Sequence, residues 1–456
     1  MLRPSLDQVQ ACLGRDEPCL MVGAAGQWPC VASTRGGSAH APRKDSGWTL
    51  QRLCLDKELL GPVSTVFRVH RNTDARNIVW EGACSYVTAT FEQFAQWRRG
   101  VLCGSCDARS THSDTSKPDD DGATAATGNP FSAFMPAEAF WAYADYKHLA
   151  ELLRGHDEVL QRVLGATPWE HTFGRPSKKP DGTPLTTLWV NSAGAQTQCH
   201  YDTYGDNIVV QVSGCKRWTL YPASSTPLLY PTRVPFEESS VFSAVNVACP
   251  NLHIHPKFRS ARPVRVTLRP GDALYVPRHY WHFVEGIEDA VALNLWSPRR
   301  EDVEERVCEA MTRTVFTAAH TMLRRIPSAS RDLHFAVNPT EELWAPGDTM
   351  DALQSALMSR LTGSAATFVM DNRSGDMPDV GSGEEQRLNA MPAGNRQDVA
   401  RLVLNRSTLS SSMLAAITAP RVVSVLCDEL YQVLSTRIRW AEGVVAEATS
   451  TCSDSD

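Results

Sequence analysis

His200 and Asp202 stand two residues apart in the run Thr197-Gln-Cys-His-Tyr-Asp202. On a β-strand that spacing turns both side chains to one face and Tyr201 to the other. An imidazole and a carboxylate side by side begin a site for a divalent metal such as iron. With 13 histidines and 51 acidic residues in 456 positions, one or two His-x-acid pairings are expected by chance. The chain has three: His112-Ser-Asp114, His156-Asp-Glu158 and His200-Tyr-Asp202. The first sits in a Ser/Thr/Asp-rich run, and the second follows Leu-Leu-Arg-Gly and reads as a helix end or turn. Only the third is followed by strand chemistry: Ile208 to Val212, a Ser213-Gly214 turn and a second strand, Lys216-Arg-Trp-Thr-Leu-Tyr221.

A third ligand must come from further along. Residues 268–296 carry a Pro270-Gly271-Asp272 turn signal, a short strand over Ala273 to Val276, and Trp281-His282-Phe-Val284. His282 completes a two-His-one-carboxylate set of the kind used by non-haem iron(II) sites. His279 competes for that place. Lys216 shares a strand face with Trp218 and Leu220, opposite Arg217 and Thr219. That face is the inward one, and a buried lysine needs an anionic partner. The alternative is a lysine snorkelling from a strand end.

Both segments resemble the JmjC and cupin-like iron(II)/2-oxoglutarate dioxygenases, in particular their heat-shock-protein-associated branch and the factor-inhibiting-HIF-like hydroxylases. The run Leu229-Tyr-Pro-Thr-Arg-Val-Pro-Phe-Glu-Glu-Ser-Ser-Val-Phe242 is most like the former. The likeness spans roughly residues 15–300 and is strongest over 138–300. It implies a double-stranded β-helix, the jelly-roll or cupin barrel. It also implies Fe(II) held by His200, Asp202 and His282, with 2-oxoglutarate and O2 as cosubstrates, and hydroxylation of a protein side chain. His282 follows Trp281, as the family's distal histidine does.

The resemblance further assigns Thr197, Lys216, Tyr143, Asn207 and Asn294 to cosubstrate binding. Tyr143 is favoured over Tyr146; the stretch from Phe140 to Leu153 reads as helical, with the two tyrosines on nearly one face. Thr197 stands three residues before His200, an odd spacing that opposes them on a straight strand. Its assignment requires a bulge around Gln198-Cys199. Three other functions stay open: a JmjC lysine demethylase, a non-enzymatic chaperone-associated interaction protein on a retained barrel, and a cupin binding zinc or manganese for isomerase chemistry. The second fits poorly with a full ligand set and a buried lysine, and Lys216 with Thr197 favours 2-oxoglutarate over the third. A small heat-shock protein is the partner the resemblance suggests.

Domain organisation follows. Residues 1–128 read as an α/β extension of the barrel, with strands near Cys19, Val66 to His70 and Tyr86 to Thr90 and helices over Trp48 to Leu60 and Phe91 to Arg99. They include a polar insertion at 103–128 whose Cys103-Gly-Ser-Cys106 lacks the second cysteine pair a structural zinc needs. Residues 129–300 form the barrel. Residues 301–456 are helical, from Val303 to Ile326, Thr349 to Leu361 and Asp398 to Ala448, with a polar linker at 371–396. The first of these helices has apolar residues at Val307, Met311, Val315 and Ala319, which reads as its buried stripe. C-terminal helices in related enzymes suggest a homodimer or a cap on the barrel.

A net charge of −6 offers no nucleic-acid footprint. The 13 cysteines are odd in number and scattered, which points to reduced thiols in the cytoplasm or nucleus. No secretory or membrane-spanning segment is read.

Overall fold

In the computed structural model, residues 6–13, 15–31, 47–72, 78–80, 83–100, 128–232, 240–323 and 344–362 are described. Cys103, Cys106, the insertion to residue 127, the linker at 371–396 and the helix from Asp398 lie outside them. Thirteen strands run through the described chain. They are β1 (Cys19–Met21), β2 (Ser64–Arg71), β3 (Ser85–Thr90), β4 (Phe140–His148), β5 (Thr186–Asn191), β6 (Gln196–Asp202), β7 (Asp206–Ser213), β8 (Lys216–Tyr221), β9 (Ser240–Phe242), β10 (Val264–Leu268), β11 (Ala273–Val276), β12 (Trp281–Gly286) and β13 (Ala290–Ser297).

They form two antiparallel sheets. The larger has the order β1-β11-β7-β13-β5-β4-β2-β3 and the smaller β10-β8-β12-β6-β9. This is a mainly-β jelly-roll with helical parts. The strands β2 and β3 continue the large sheet past β4.

Alternation along the central strands explains the layering. Ile208, Val210 and Val212 of β7, with Leu293 and Leu295 of β13, join an outer core with Trp28, Trp169 and Phe173. Their neighbours Val209 and Ala292 point the other way and pack with Trp218, Leu220 and Val284 of the small sheet. Strands covered on both faces are apolar nearly throughout, and β7 is buried at every position. The turn from β7 to β8 depends on Gly214, at φ +67°. A Cβ there would collide with the carbonyl oxygen of Asp289 and with Ala290, so no other residue fits.

Four readings are corrected. The stretch from Phe140 is a strand, β4, followed by a single turn of helix at Leu149–Leu152. Its aromatic and apolar residues suit either period, and pairing with β2 and β5 decides it. The helix expected over Trp48 to Leu60 spans only Leu50–Leu55, capped by the Thr49 side chain. Cys12 and Cys19 are joined in a disulfide, whereas Cys30, Cys54, Cys84, Cys199, Cys215, Cys249 and Cys308 are free.

Finally, the helix Asp302–Leu323 does not bury the apolar stripe. Val315 is exposed at 40%, whereas Asp302, Glu309, Arg313, Thr314 and Thr317 are buried. The charged members of that face are paired, which makes a polar buried face tenable. By contacts the chain divides into two units, residues 1–344 and 345–456; the helix Pro346–Thr362 belongs to the second. Among the described residues no helix is long and apolar enough to cross a membrane.

Candidate metal centre and cosubstrate cavity

Strands β6 and β12 are hydrogen-bonded neighbours, and their register sets His200 opposite His282. The ring centroids are 4.1 Å apart. Asp202, two residues along β6, brings Oδ1 to 3.7 Å from His200 Nε2 and Oδ2 to 3.8 Å from His282 Nε2. Ligating atoms of the three residues lie within 4.8 Å of one another, and all three residues are buried.

Each histidine donates from Nδ1 to a backbone carbonyl two residues before it. His200 reaches Gln198 at 2.7 Å and His282 reaches Tyr280 at 2.9 Å. Those bonds place the ring hydrogen on Nδ1 and leave the Nε2 lone pair facing the centre. Burial pushes both imidazoles down, His282 to about 4 and His200 well below its ordinary value, the latter helped by the His282 charge. Two neutral imidazoles and a carboxylate are a donor set fitted to a divalent transition metal with open positions. Packing fixes the rings: His200 stacks on Phe242 at 5.3 Å and His282 on Trp218 at 5.5 Å.

His279 is elsewhere. It adopts φ +62°, and its Nε2 donates to the carbonyl of Thr203 at 3.0 Å. Its ring is spent on a loop contact rather than the cluster.

The His200–Asp202–His282 cluster opens into a cavity between the two sheets, lined among others by Trp189, Val209 and Val284. Across the small sheet, β8 sets Leu220, Trp218 and Lys216 opposite His282, Val284 and Gly286 of β12. Lys216 therefore lies four residues along the strand from the metal end. It is 3% exposed and donates to the Tyr143 hydroxyl at 3.0 Å. Its Nζ also sits 4.8 Å from the Tyr143 ring centre and 5.9 Å from that of Trp189. Burial lowers the ammonium to about 7, partly opposed by the Asp145 charge.

Thr197 lines the same cavity. Its register explains how: β12 pairs His282 with His200 and Val284 with Thr197, so two steps on β12 oppose three on β6. The extra residue is a bulge within Gln198-Cys199, which turns Thr197 back to the inner face. A second bulge works likewise in β4. Tyr146 takes φ 51°, the register with β5 shifts between Ala144 and Lys147, and both Tyr143 and Tyr146 line the cavity. Asn207 and Asn294 complete the wall from the large sheet. Trp189 Nε1 donates to Asn294 Oδ1 at 2.9 Å, and Asn294 Nδ2 donates to Asn207 Oδ1 at 3.0 Å.

One supporting pair had no signal in the sequence. Arg68 of β2 is 2% exposed and ion-paired with Asp145 at 2.8 Å. Its guanidinium packs 5.7 Å from the Tyr143 ring centre and donates to the Gln196 carbonyl. In the sequence it is one arginine in an alternating strand.

HSPB1-associated protein 1 of Bos taurus is 40% identical over 275 residues, 60% of this chain and 50% of that protein. Lysine-specific demethylase JMJ31 of Arabidopsis thaliana is 37% identical over 144 residues, 31% of this chain and 25% of that one. The bifunctional peptidase and (3S)-lysyl hydroxylase JMJD7 of Homo sapiens is 28% identical over 166 residues, 32% of this chain and 50% of that one. The chain spans about half the length of the HSPB1-associated relatives it matches. The family described as cupin-like domain matches residues 5–302, which take in both sheets and every residue of the cluster, and the chain belongs to that family.

Proposed function

We propose that the protein is an iron(II)- and 2-oxoglutarate-dependent dioxygenase that hydroxylates a protein side chain. The observation that carries this reading is the pairing of two features in one cavity. Three buried ligating groups stand at one end, and the buried cation Lys216 with Tyr143 stands beyond them. A small dicarboxylate chelating a metal by one end and meeting a cation by the other fits that layout. Relatives named as a lysyl hydroxylase and a lysine-specific demethylase support the oxygenase class.

His200, Asp202 and His282 would hold the iron, which when bound supplies the activation of O2 coupled to decarboxylation of 2-oxoglutarate. The chain's own contribution is positioning. The carbonyls of Gln198 and Tyr280 hold the imidazoles in the ligating tautomer. Lys216, Tyr143 and Thr197 would receive the distal carboxylate. Asn207 and Asn294, braced by Trp189, hold the opposite wall. Val209, Val284 and Ala292 line the space between and keep it poor in water.

A small heat-shock protein is our proposed partner, on the strength of relatives named HSPB1-associated protein 1. Anaerobic titration with iron(II) and 2-oxoglutarate should develop a charge-transfer absorption band. Its absence in protein that binds the metal would remove the dioxygenase reading. Formaldehyde released from a methylated lysine peptide would move the assignment to demethylation.

A further inference from the structure

Beyond the family match, the chain continues into the helix Asp302–Leu323. Three acidic residues, Asp302, Glu305 and Glu309, stand at i, i+3 and i+7 and so share one face. Each receives a group from one of the two loops that border the metal ligands. Asp302 Oδ1 accepts from the backbone of Gly205 at 3.0 Å. Glu309 Oε2 accepts from the hydroxyl of Thr203, the residue after Asp202, at 3.1 Å. Glu305 Oε1 accepts from Arg278 Nη1 at 3.3 Å, and its Oε2 lies 3.6 Å from His279 Nε2.

The two loops are also tied to each other. The His279 amide donates to the carbonyl of Asp202 at 2.9 Å, and its ring donates to the carbonyl of Thr203. The turn leaving Asp202, the loop entering His282 and the helix thus form a closed triangle of hydrogen bonds.

Like Asp302, Glu309 is a buried corner of it; Glu309 is 5% exposed. Arg313, 6% exposed, donates from Nε and Nη2 to Glu309 Oε1 at 3.1 and 2.9 Å, which orients Oε2 toward Thr203. Behind it, the guanidinium lies 4.5 Å from the ring centre of Trp344. A helix that merely covered the barrel could do so with apolar residues at lower desolvation cost. A buried carboxylate with a fixed rotamer, aimed at the residue next to a ligand, has a directional task.

We infer that Glu309 is a positioning residue for the metal centre: by holding the Thr203 hydroxyl it fixes the exit of β6 and thereby the direction in which Asp202 presents its carboxylate. The inference rests on the metal reading of His200, Asp202 and His282. It extends the working site past the end of the family domain and gives His279 a part as the clasp between the loops.

The test uses the full chain, purified free of metal, with manganese(II) alone titrated by calorimetry and cobalt(II) followed by its visible ligand-field spectrum. Thr203→Val keeps the shape and removes the hydroxyl; Thr203→Ser restores it; Glu309→Gln alters the acceptor. We expect Thr203→Val and Glu309→Gln each to weaken manganese about tenfold, the lower end of the roughly 10- to 100-fold range for outer-sphere partners. The cobalt spectrum should change in both, with Thr203→Ser close to wild type. The double variant should lose little more than Thr203→Val alone, because both changes act on the same bond. Unchanged manganese affinity and an unchanged cobalt spectrum in Thr203→Val, whatever its melting temperature, would overturn the inference. Failure of the wild type itself to bind manganese would sink the metal reading and this inference with it, so the two failures are told apart by the wild-type arm.

Discussion

Lys216 of β8 and Tyr143 of β4 meet across the cavity, Nζ to hydroxyl, at 3.0 Å. One belongs to the small sheet and the other to the large. In the reading above they form the far anchor of the cosubstrate. Charge-assisted hydrogen bonds contribute about 1.5–3 kcal/mol. Lys216→Met keeps the packed stem and should weaken 2-oxoglutarate roughly 10- to 150-fold, at about 1.4 kcal/mol per tenfold. Manganese affinity should not change. Arg217→Ala, on the exposed face beside Glu285, is the control and should leave cosubstrate affinity unaltered. Calorimetry on manganese-loaded protein measures both; wild-type 2-oxoglutarate affinity in Lys216→Met would remove the anchor.

Affinity for 2-oxoglutarate should depend on pH. Burial holds Lys216 at about 7, so the amine of the empty cavity loses its proton as pH rises through that value. A bound carboxylate favours the protonated form. Binding therefore takes up a proton above about pH 7, and affinity falls as pH rises, by about tenfold per unit at the steepest. His282, held at about 4, and His200, also depressed, stay neutral over this range, so manganese affinity should be flat. Calorimetry from about pH 6.5 to about pH 8.5 in buffers of different protonation enthalpy reads both trends. A wild-type slope that persists in Lys216→Met would place the proton elsewhere.

Asp202→Ala should abolish stoichiometric manganese binding while the far-ultraviolet circular dichroism stays that of the wild type. The carboxylate is the only acidic member of the cluster and faces both imidazoles. His200→Ala should behave likewise. Retained stoichiometric binding in Asp202→Ala would show that the metal sits elsewhere.

Arg68→Met should be among the most destabilising single changes in the barrel. It leaves the Asp145 carboxylate buried without its partner at 2.8 Å, a cost of about 3–5 kcal/mol. Adding Asp145→Leu should recover much of the loss, since a buried pair replaced by apolar residues is often close to neutral. Denaturant unfolding of the three variants measures this; a loss under about 1 kcal/mol in Arg68→Met would contradict the ion pair's role.

How far the sequence could be read depended on the physics of each element. The strands β6, β7 and β8 were legible because period-two spacing and a Gly turn speak locally, but the hairpin that spacing suggests does not form: β7 pairs with β11 and β13 in the large sheet, and β6 and β8 each pair with β12 in the small one. Even the bulge at Gln198-Cys199 was required by the odd spacing of Thr197 and His200 and is present in the pairing. The strand β4 was misread because Phe-Trp-Ala-Tyr-Ala-Asp-Tyr carries no period that separates strand from helix; pairing with β2 and β5 decides it. The buried face of the helix Asp302–Leu323 was missed for the opposite reason. Asp302, Glu309 and Arg313 look like a solvated face until their partners, Gly205 and Thr203, are brought from a hundred residues away. Arg68 was silent because its partner Asp145 is set by strand order alone.

The candidate ligands His200, Asp202 and His282 come from two adjacent strands of one sheet, with the two histidines facing each other across a ladder. A metal ion held there would act as a cross-link between distant parts of the chain, closing a long loop much as a covalent bridge does. It would bind only where that ladder is formed, so its binding energy would add to the stability of the small sheet. Loading the site would then arm it and also brace the half of the barrel that carries it.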